Sequence, residues 1–271
     1  MTDQRPRVVA CMPVWNASAF IRQTLESVAS QTYPNLQVLI SDDASDDDTA
    51  AICEHFAAGD ARFRVHRQQV RRGWVGNANF LLDQAFGDYL FFAFHDDPLR
   101  PRYVERLVDA LDSHPAAVLA FSDIVSRGRV ERYIELEGLT DRLQRSRRVI
   151  RKRGLWWIPN RGLFRAEAAR RIGGMRRHLA GEYKADWPWL LHLALLGEFV
   201  RVPEPLIEKV WSESTLSAQW KRRLTLWRST AVTLACAREI RRVAPPLGEE
   251  VRMHRELAKF WLRTVLRGRR L

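Results

Sequence analysis

Over the first 120 residues, short apolar runs alternate with segments whose apolar positions recur at helical spacing. Arg7-Val8-Val9-Ala10-Cys11-Met12 reads as a strand ended by Pro13, and Ile21, Leu25, Val28 and Ala29 then mark one face of a helix. Gln31-Thr32-Tyr33-Pro34-Asn35 breaks that helix before a second strand, Leu36-Gln37-Val38-Leu39-Ile40. A polar loop over 41–49 supplies several capping side chains to a helix over 49–58. Phe63-Arg64-Val65-His66 is a third strand, Asn77 to Phe86 a helix, and Tyr89 to Phe94 a continuously apolar strand of the kind buried in parallel sheets. Val104, Leu107, Val108 and Leu111 give one more helix, and Ala117 to Phe121 one more strand.

Strands alternating with helices through short loops predict an α/β fold with a mostly parallel central sheet flanked by helices. Ligands of such sheets bind beyond the carboxyl ends of the strands. Pro13 to Asn16, Asp42-Asp43 and Asp96-Asp97 each follow a strand directly, so all three loops are expected at one crevice.

The rest of the chain is less regular. Residues 126–153 are charged and irregular, and 154–164 mix Gly, Trp, Pro and Asn. A helix over 166–172 closes on Gly173-Gly174, Trp187 to Leu196 is helical, and Phe199 to Val202 is strand-like before Pro203 and Pro205 break the chain. From about 218 two helices are expected, with stripes Trp220, Leu224, Trp227, Ala231, Leu234 and Val251, Leu257, Ala258, Trp261, Val265. The organisation expected is an α/β half over 1–125, a second half of the same domain over 126–217 and a basic amphipathic helical tail over 218–271.

Composition changes this picture in two ways. Cys11, Cys53 and Cys236 are far apart and odd in number, which excludes a disulfide framework or zinc site and fits a reducing cytoplasm. No apolar run reaches the roughly 18 to 20 residues of a spanning helix, and no secretory signal core follows Met1. The net charge of +12 is also uneven: residues 1–140 carry 14 basic and 20 acidic side chains, whereas 141–271 carry 30 and 12. Residues 221–271 alone hold 14 basic and 4 acidic side chains. Such helices either lie on an anionic membrane surface, here the inner face, or pack on the catalytic domain or in a homodimer.

Two adjacent carboxylates at the end of a buried strand need a positive partner. Mg²⁺ or Mn²⁺, held by one or two carboxylates and by substrate phosphates, suits Asp96-Asp97. The alternative is that Asp96-Asp97-Pro98 caps the helix starting near Pro101.

The ordered segments Met12-Pro13-Val14-Trp15-Asn16, Ser27 to Asn35, Ser41 to Thr49, Gly73-Trp74-Val75-Gly76-Asn77-Ala78-Asn79, Gly87-Asp88-Tyr89 and His95-Asp96-Asp97 together resemble the family-2 glycosyltransferases. The resemblance implies a GT-A fold and an inverting, metal-dependent transfer from a nucleoside-diphosphate sugar, a UDP-sugar foremost, to a saccharide or lipid-linked acceptor in bacterial polysaccharide, glycolipid or cell-envelope synthesis. It implies that Pro13, Val14, Trp15, Asn16, Asp43 and Asn79 line the nucleotide-sugar, that Asp96 faces the donor, and that Asp97 ligates Mg²⁺ or Mn²⁺. It also places the acceptor's base in Glu182-Tyr183-Lys184-Ala185-Asp186-Trp187-Pro188-Trp189: Asp186 first, Glu182 second, with an N-cap role for Asp186 as the alternative. Trp211 stands where the family often carries a histidine near the diphosphate, so a third protein ligand is not expected. Trp156, Trp157, Trp187 and Trp189 either border the acceptor pocket or fill the core.

Two other classes compete. A non-catalytic basic protein would hold anionic lipid or nucleic acid, but no aromatic-interleaved RNA motif or zinc finger supports nucleic acid. A nucleotidyltransferase would need a Gly-rich, Arg/Lys-bearing loop after the first strand, which is absent.

Overall fold

The computed structural model describes residues 5–151, 154–211 and 226–268. Its centre is an eight-stranded sheet in the order β3-β2-β1-β4-β7-β5-β6, with β8 on the other side of β5. β1 (Val8–Val14), β2 (Leu36–Asp42), β3 (Phe63–Arg67) and β4 (Tyr89–Phe92) are mutually parallel. β1 lies between β2 and β4 and is covered on both faces, which is why all seven of its residues are buried and its sequence does not alternate. Pro13 does not end this strand. Beyond Cys11, β1 pairs with β2 alone, and a proline missing its N–H is tolerated on the side that β4 has left.

The connecting helices are α1 (Ile21–Ala29), α2 (Thr49–Gly59), α3 (Gly73–Gln84) and α4 (Tyr103–Asp112). In α1 and α4 the buried residues follow the expected stripes, Ile21, Leu25 and Val28 in one and Val104, Leu107, Val108 and Leu111 in the other. α3 begins four residues earlier than its apolar spacing predicted, because a carboxylate distant in sequence satisfies its first amides. Gly73 there has φ 74°, and a Cβ would fall 2.5 Å from Glu182 Oε1.

The second half joins the same sheet. β5 (Ala117–Ser126) spans the boundary expected at 125, and the short β7 (Leu163–Arg165) is inserted antiparallel between β4 and β5. The stretch 126–153, expected to be irregular, contains β6 (Arg129–Glu131) and α5 (Arg142–Arg151). Its helix was masked by arginines. Arg145, only 3% exposed, turns inward to donate to the carbonyls of Ala194, Leu139 and Thr140. β8 (Glu198–Lys209) continues through both prolines, because its register against β5 shifts at that point. Beyond the shift its other flank is tied to the loop after β4: Arg100 N donates to Leu206 O, Glu208 N to Pro98 O and Val210 N to Asp96 O.

α6 (Ala166–Ile172) stops at Gly173, which adopts φ 73°, and α7 (Asp186–Leu196) is buried nearly all round. α8 (Leu226–Val243) and α9 (Leu247–Gly268) pack on α7 and α5. Val232, Cys236, Ile240, Met253 and Leu257 join the core, and Arg142–Glu249, Arg147–Glu256 and Arg151–Glu256 ion pairs rim the contact. The buried stripes differ from those expected: Trp227, Leu234 and Val251 are exposed, and Trp220 and Leu224 lie outside the described residues. All three cysteines are buried and free. No helix among the described residues is long and apolar enough to cross a membrane.

Candidate active site

The loops after β1, β2 and β4 meet at the carboxyl edge of the sheet. Val14 O accepts from Asp43 N, binding the first two loops, and Asn16 and Ala44 adopt left-handed backbone with φ 46° and 56°. Asn16 Oδ1 accepts from Asp46 N while Ser45 Oγ accepts from Asn16 N. Asp42 is spent within its own turn on Ser45. Asp43 is 2% exposed and accepts the amide of Arg72 at 2.6 Å. Burial is the main influence on its carboxyl and raises its pKa above the ordinary value, against the lowering effects of the Arg72 and Gly73 amides and the Arg71 charge. The Arg71 guanidinium lies 3.4 Å from the centre of the Trp15 ring, so a cation and an aromatic face flank Asp43. Pro13, Val14, Trp15, Asn16 and Asp43 are thus brought together. Asn79 is not free to join them: its amide both donates to Met175 O and accepts from Met175 N at 2.8 Å, which ties α3 to the loop after α6.

The Asp96-Asp97 pair is held by two cations that the motifs did not signal. Lys209, 4% exposed at its side chain, places Nζ 2.5 Å from Asp96 Oδ2 and 2.8 Å from Asp97 Oδ1. Arg161 Nε lies 2.6 Å from Asp97 Oδ2. The backbone bonds between β8 and 96–100 fix Lys209 there. Burial would raise the Asp96 pKa, but the Lys209 ammonium, with His95 and Arg161, outweighs it and holds the carboxyl below its ordinary value. Two carboxylates and two cations leave this cluster neutral.

The helix-cap alternative for the pair finds no support, since α4 starts at Tyr103 with Arg102 as its cap residue. The surroundings of the two carboxylates differ. Both oxygens of Asp97 lie within 2.8 Å of a cation and the residue is 2% exposed, though its Oδ1 is buried without a hydrogen-bond partner, whereas Asp96 is 8% exposed and meets Lys209 through Oδ2. Among the described residues no group of three or more His, Cys, Asp or Glu is arranged to hold an ion. A hard dication at this edge would draw on few protein oxygens, with phosphate and water completing its shell.

Asp186 is the first residue of α7, with Ala185 in the cap position. Asn160 Nδ2 donates to Asp186 Oδ2 at 3.4 Å. Asn160 and Arg161 belong to one 3₁₀ turn, Ile158–Arg161, so that turn touches Asp186 with one residue and Asp97 with the next. Gly162 permits this approach, because a Cβ would sit 2.4 Å from Ala120 O. Glu182 has another task. Its carboxylate accepts from Trp74 N at 3.0 Å and Val75 N at 3.3 Å and pairs with Arg177, capping α3. Glu182→Ala is expected to cost about 1 kcal/mol in a denaturation experiment, while nucleotide binding changes less than about twofold.

Of the four tryptophans, Trp187 and Trp189 are core residues. Trp187 donates to Val149 O and meets Trp156 and the Phe260 ring of α9. Trp157 faces the site, with Arg161 4.6 Å from its ring and Trp211 edge-on at 6.3 Å. Trp211 donates to Ser126 Oγ at 2.8 Å.

A mostly parallel sheet flanked by helices, with the loops after β1, β2 and β4 meeting at its carboxyl edge, has the architecture of a GT-A fold. The model of glycosyl transferase family 2 matches residues 9–168, and the chain belongs to that family. The solved structures agree on the fold. S. aureus TarS residues 1–349 with UDP-GlcNAc superposes with a TM-score of 0.72 at 17% identity, covering 94% of this chain and 71% of that one. The Pyrobaculum calidifontis mannosyltransferase PcManGT with GDP-Man and Mn²⁺ gives 0.64 at 20% identity over 94% and 70%. In sequence, the Campylobacter jejuni GalNAc(5)-diNAcBac-PP-undecaprenol beta-1,3-glucosyltransferase is 27% identical over 135 residues, 49% of this chain and 44% of the relative. The Streptococcus pneumoniae glycosyltransferase GlyG is 28% identical over 108 residues, 40% and 36%. The chain spans less than half the length of these two relatives.

Proposed function

We propose that the chain transfers a glycosyl group, with inversion, from a nucleoside-diphosphate sugar to an acceptor hydroxyl, a UDP-sugar being the first donor to test and a saccharide or lipid-linked molecule the acceptor. One observation carries the reading: successive residues of the turn Ile158–Arg161 contact Asp186 and Asp97, so a base candidate and a diphosphate candidate site flank one turn.

In this reading Asp43 accepts hydrogen bonds from the nucleoside, and Trp15 with Arg71 walls the base. Asp96 holds Mg²⁺ or Mn²⁺ jointly with the donor's diphosphate; when bound, the ion offsets the negative charge of the departing diphosphate. Support for an ion comes from the charge balance: Lys209 and Arg161 are already paired with Asp96 and Asp97, and contribute little net charge against an incoming diphosphate. Asp186 takes the proton of the acceptor hydroxyl as its oxygen bonds to the anomeric carbon, and the bond from that carbon to the diphosphate oxygen breaks on the opposite face. Trp157 offers an aromatic face for a sugar ring. The basic, partly apolar outer face of α9, with Leu262 and Leu266 exposed beside Arg263, would rest on an anionic bilayer.

The test is release of nucleoside diphosphate from a panel of UDP, GDP, dTDP and CMP sugars, with Mn²⁺ or with EDTA. One nucleotide class should turn over, and EDTA should abolish it. No turnover of any donor, with salt-sensitive binding to random DNA instead, would overturn the reading.

A further inference from the structure

A second site stands beside the loop that leads to Asp186. A cleft of about 320 Å³ is lined by Arg176, Arg177, His178, Arg238, Arg241 and Arg242, with Glu239 as its one acidic residue. That carboxylate is already divided: His192 Nδ1 lies 2.6 Å from it, Arg176 3.4 Å and Arg242 3.7 Å. Arg177 pairs with Glu182, and Arg238 and Arg241 have no acidic partner among the described residues. Five guanidinium groups thus face one cleft with a single buried carboxylate shared among them, Arg238 and Arg241 open to solvent, and planar guanidinium forks match phosphate oxygens two at a time.

The cleft's position gives such an anion a use. His178 Nε2 lies 2.7 Å from Tyr183 O, and its Nδ1 accepts from Ala180 N, so the cleft wall fixes the loop 178–183 just before Asp186. This arrangement needs a neutral imidazole, and burial together with the Arg238 charge lowers the His178 pKa. On the other side Arg177 donates to Arg72 O, next to the amide that binds Asp43. The cleft therefore adjoins the loop that leads to Asp186, and Asp96 and Asp97 are not among its lining residues.

We propose that this arginine cleft between α8 and residues 176–178 binds a phosphate or diphosphate group of the acceptor, and so holds its hydroxyl toward Asp186. The proposal rests on the transferase reading and names the acceptor class: a phosphate-bearing molecule, from either a lipid headgroup or a soluble phosphorylated saccharide.

Isothermal titration of the full chain, preloaded with saturating UDP and Mn²⁺, with inorganic pyrophosphate and with farnesyl diphosphate tests it. At least one should bind, and Arg238→Gln/Arg241→Gln should weaken it about tenfold or more while UDP affinity is unchanged. Equal binding of the two anions assigns the phosphate group alone, and tenfold tighter farnesyl diphosphate assigns a lipid source. Arg64→Gln/Arg129→Gln, at exposed positions of β3 and β6, removes the same charge elsewhere and should leave the affinity unaltered. Equal weakening by that control, no effect of the cleft substitutions, or no binding of either anion overturns the site. Failure of UDP itself to bind would instead count against the donor reading.

Discussion

Asp186→Asn is expected to lower the rate of glycosyl transfer by roughly 10²–10⁴-fold, the usual contribution of a positioned general base, with donor affinity changed by less than about threefold. The amide keeps the side chain's shape and can still meet Asn160, but it cannot accept the hydroxyl proton. Asp186 lies on the far side of the Ile158–Arg161 turn from Asp97, so the donor's diphosphate site is untouched. The measurement is kcat for transfer beside Kd for the nucleotide. Full transfer by the variant would remove Asp186 from the mechanism, and a parallel loss of nucleotide binding would make it a structural residue.

Lys209→Met should have the largest effect on stability. Removing the ammonium leaves two adjacent carboxylates, 8% and 2% exposed at Asp96 and Asp97, with Arg161 as the remaining cation in contact. Breaking a buried pair by deleting one partner costs about 3–5 kcal/mol. For a chain of this size that is a fall in Tm of roughly 6–20 °C. Part of the loss should be recovered in Lys209→Met/Asp97→Asn, which removes a negative charge with the positive one. A Lys209→Met protein as stable as the parent would show that the cluster is solvated and that Asp96 needs no internal partner.

The first half of the fold was legible because β1 and β4 are buried on both faces and α1 and α4 on one, so the apolar pattern mirrors the layers directly. The pattern failed where another part of the chain supplied what the local sequence lacked. Glu182 starts α3 from 108 residues away, and Arg145 buries its charge by satisfying three carbonyls, so α5 reads as polar. β8 passes two prolines because its bulged register leaves room for them.

The site divides the same way. Asp43, Asp96, Asp97 and Asp186 stand out as carboxylates at the ends of strands or the start of a helix. Lys209, Arg161 and Asn160 do not, since nothing in a lone lysine at the end of β8 says which acid it will meet. Without them the roles of the two aspartates could not be ordered. The family resemblance makes Asp97 the ligand, and its two ion pairs in the folded chain are the reason Asp96 is proposed in its place.

The central claim is that the edge carrying Asp96 binds a nucleoside diphosphate and a divalent ion as one unit. It is tested most directly by the EPR signal of free Mn²⁺ titrated with the chain, alone and with UDP or GDP. The account predicts little depletion of free Mn²⁺ by the chain alone at millimolar concentration. With one of the two nucleotides, it predicts a ternary complex well beyond the Mn²⁺–nucleotide background, lost in Asp96→Asn. Tight Mn²⁺ binding without nucleotide, or a ternary complex that survives Asp96→Asn and disappears in Asp97→Asn, would contradict it.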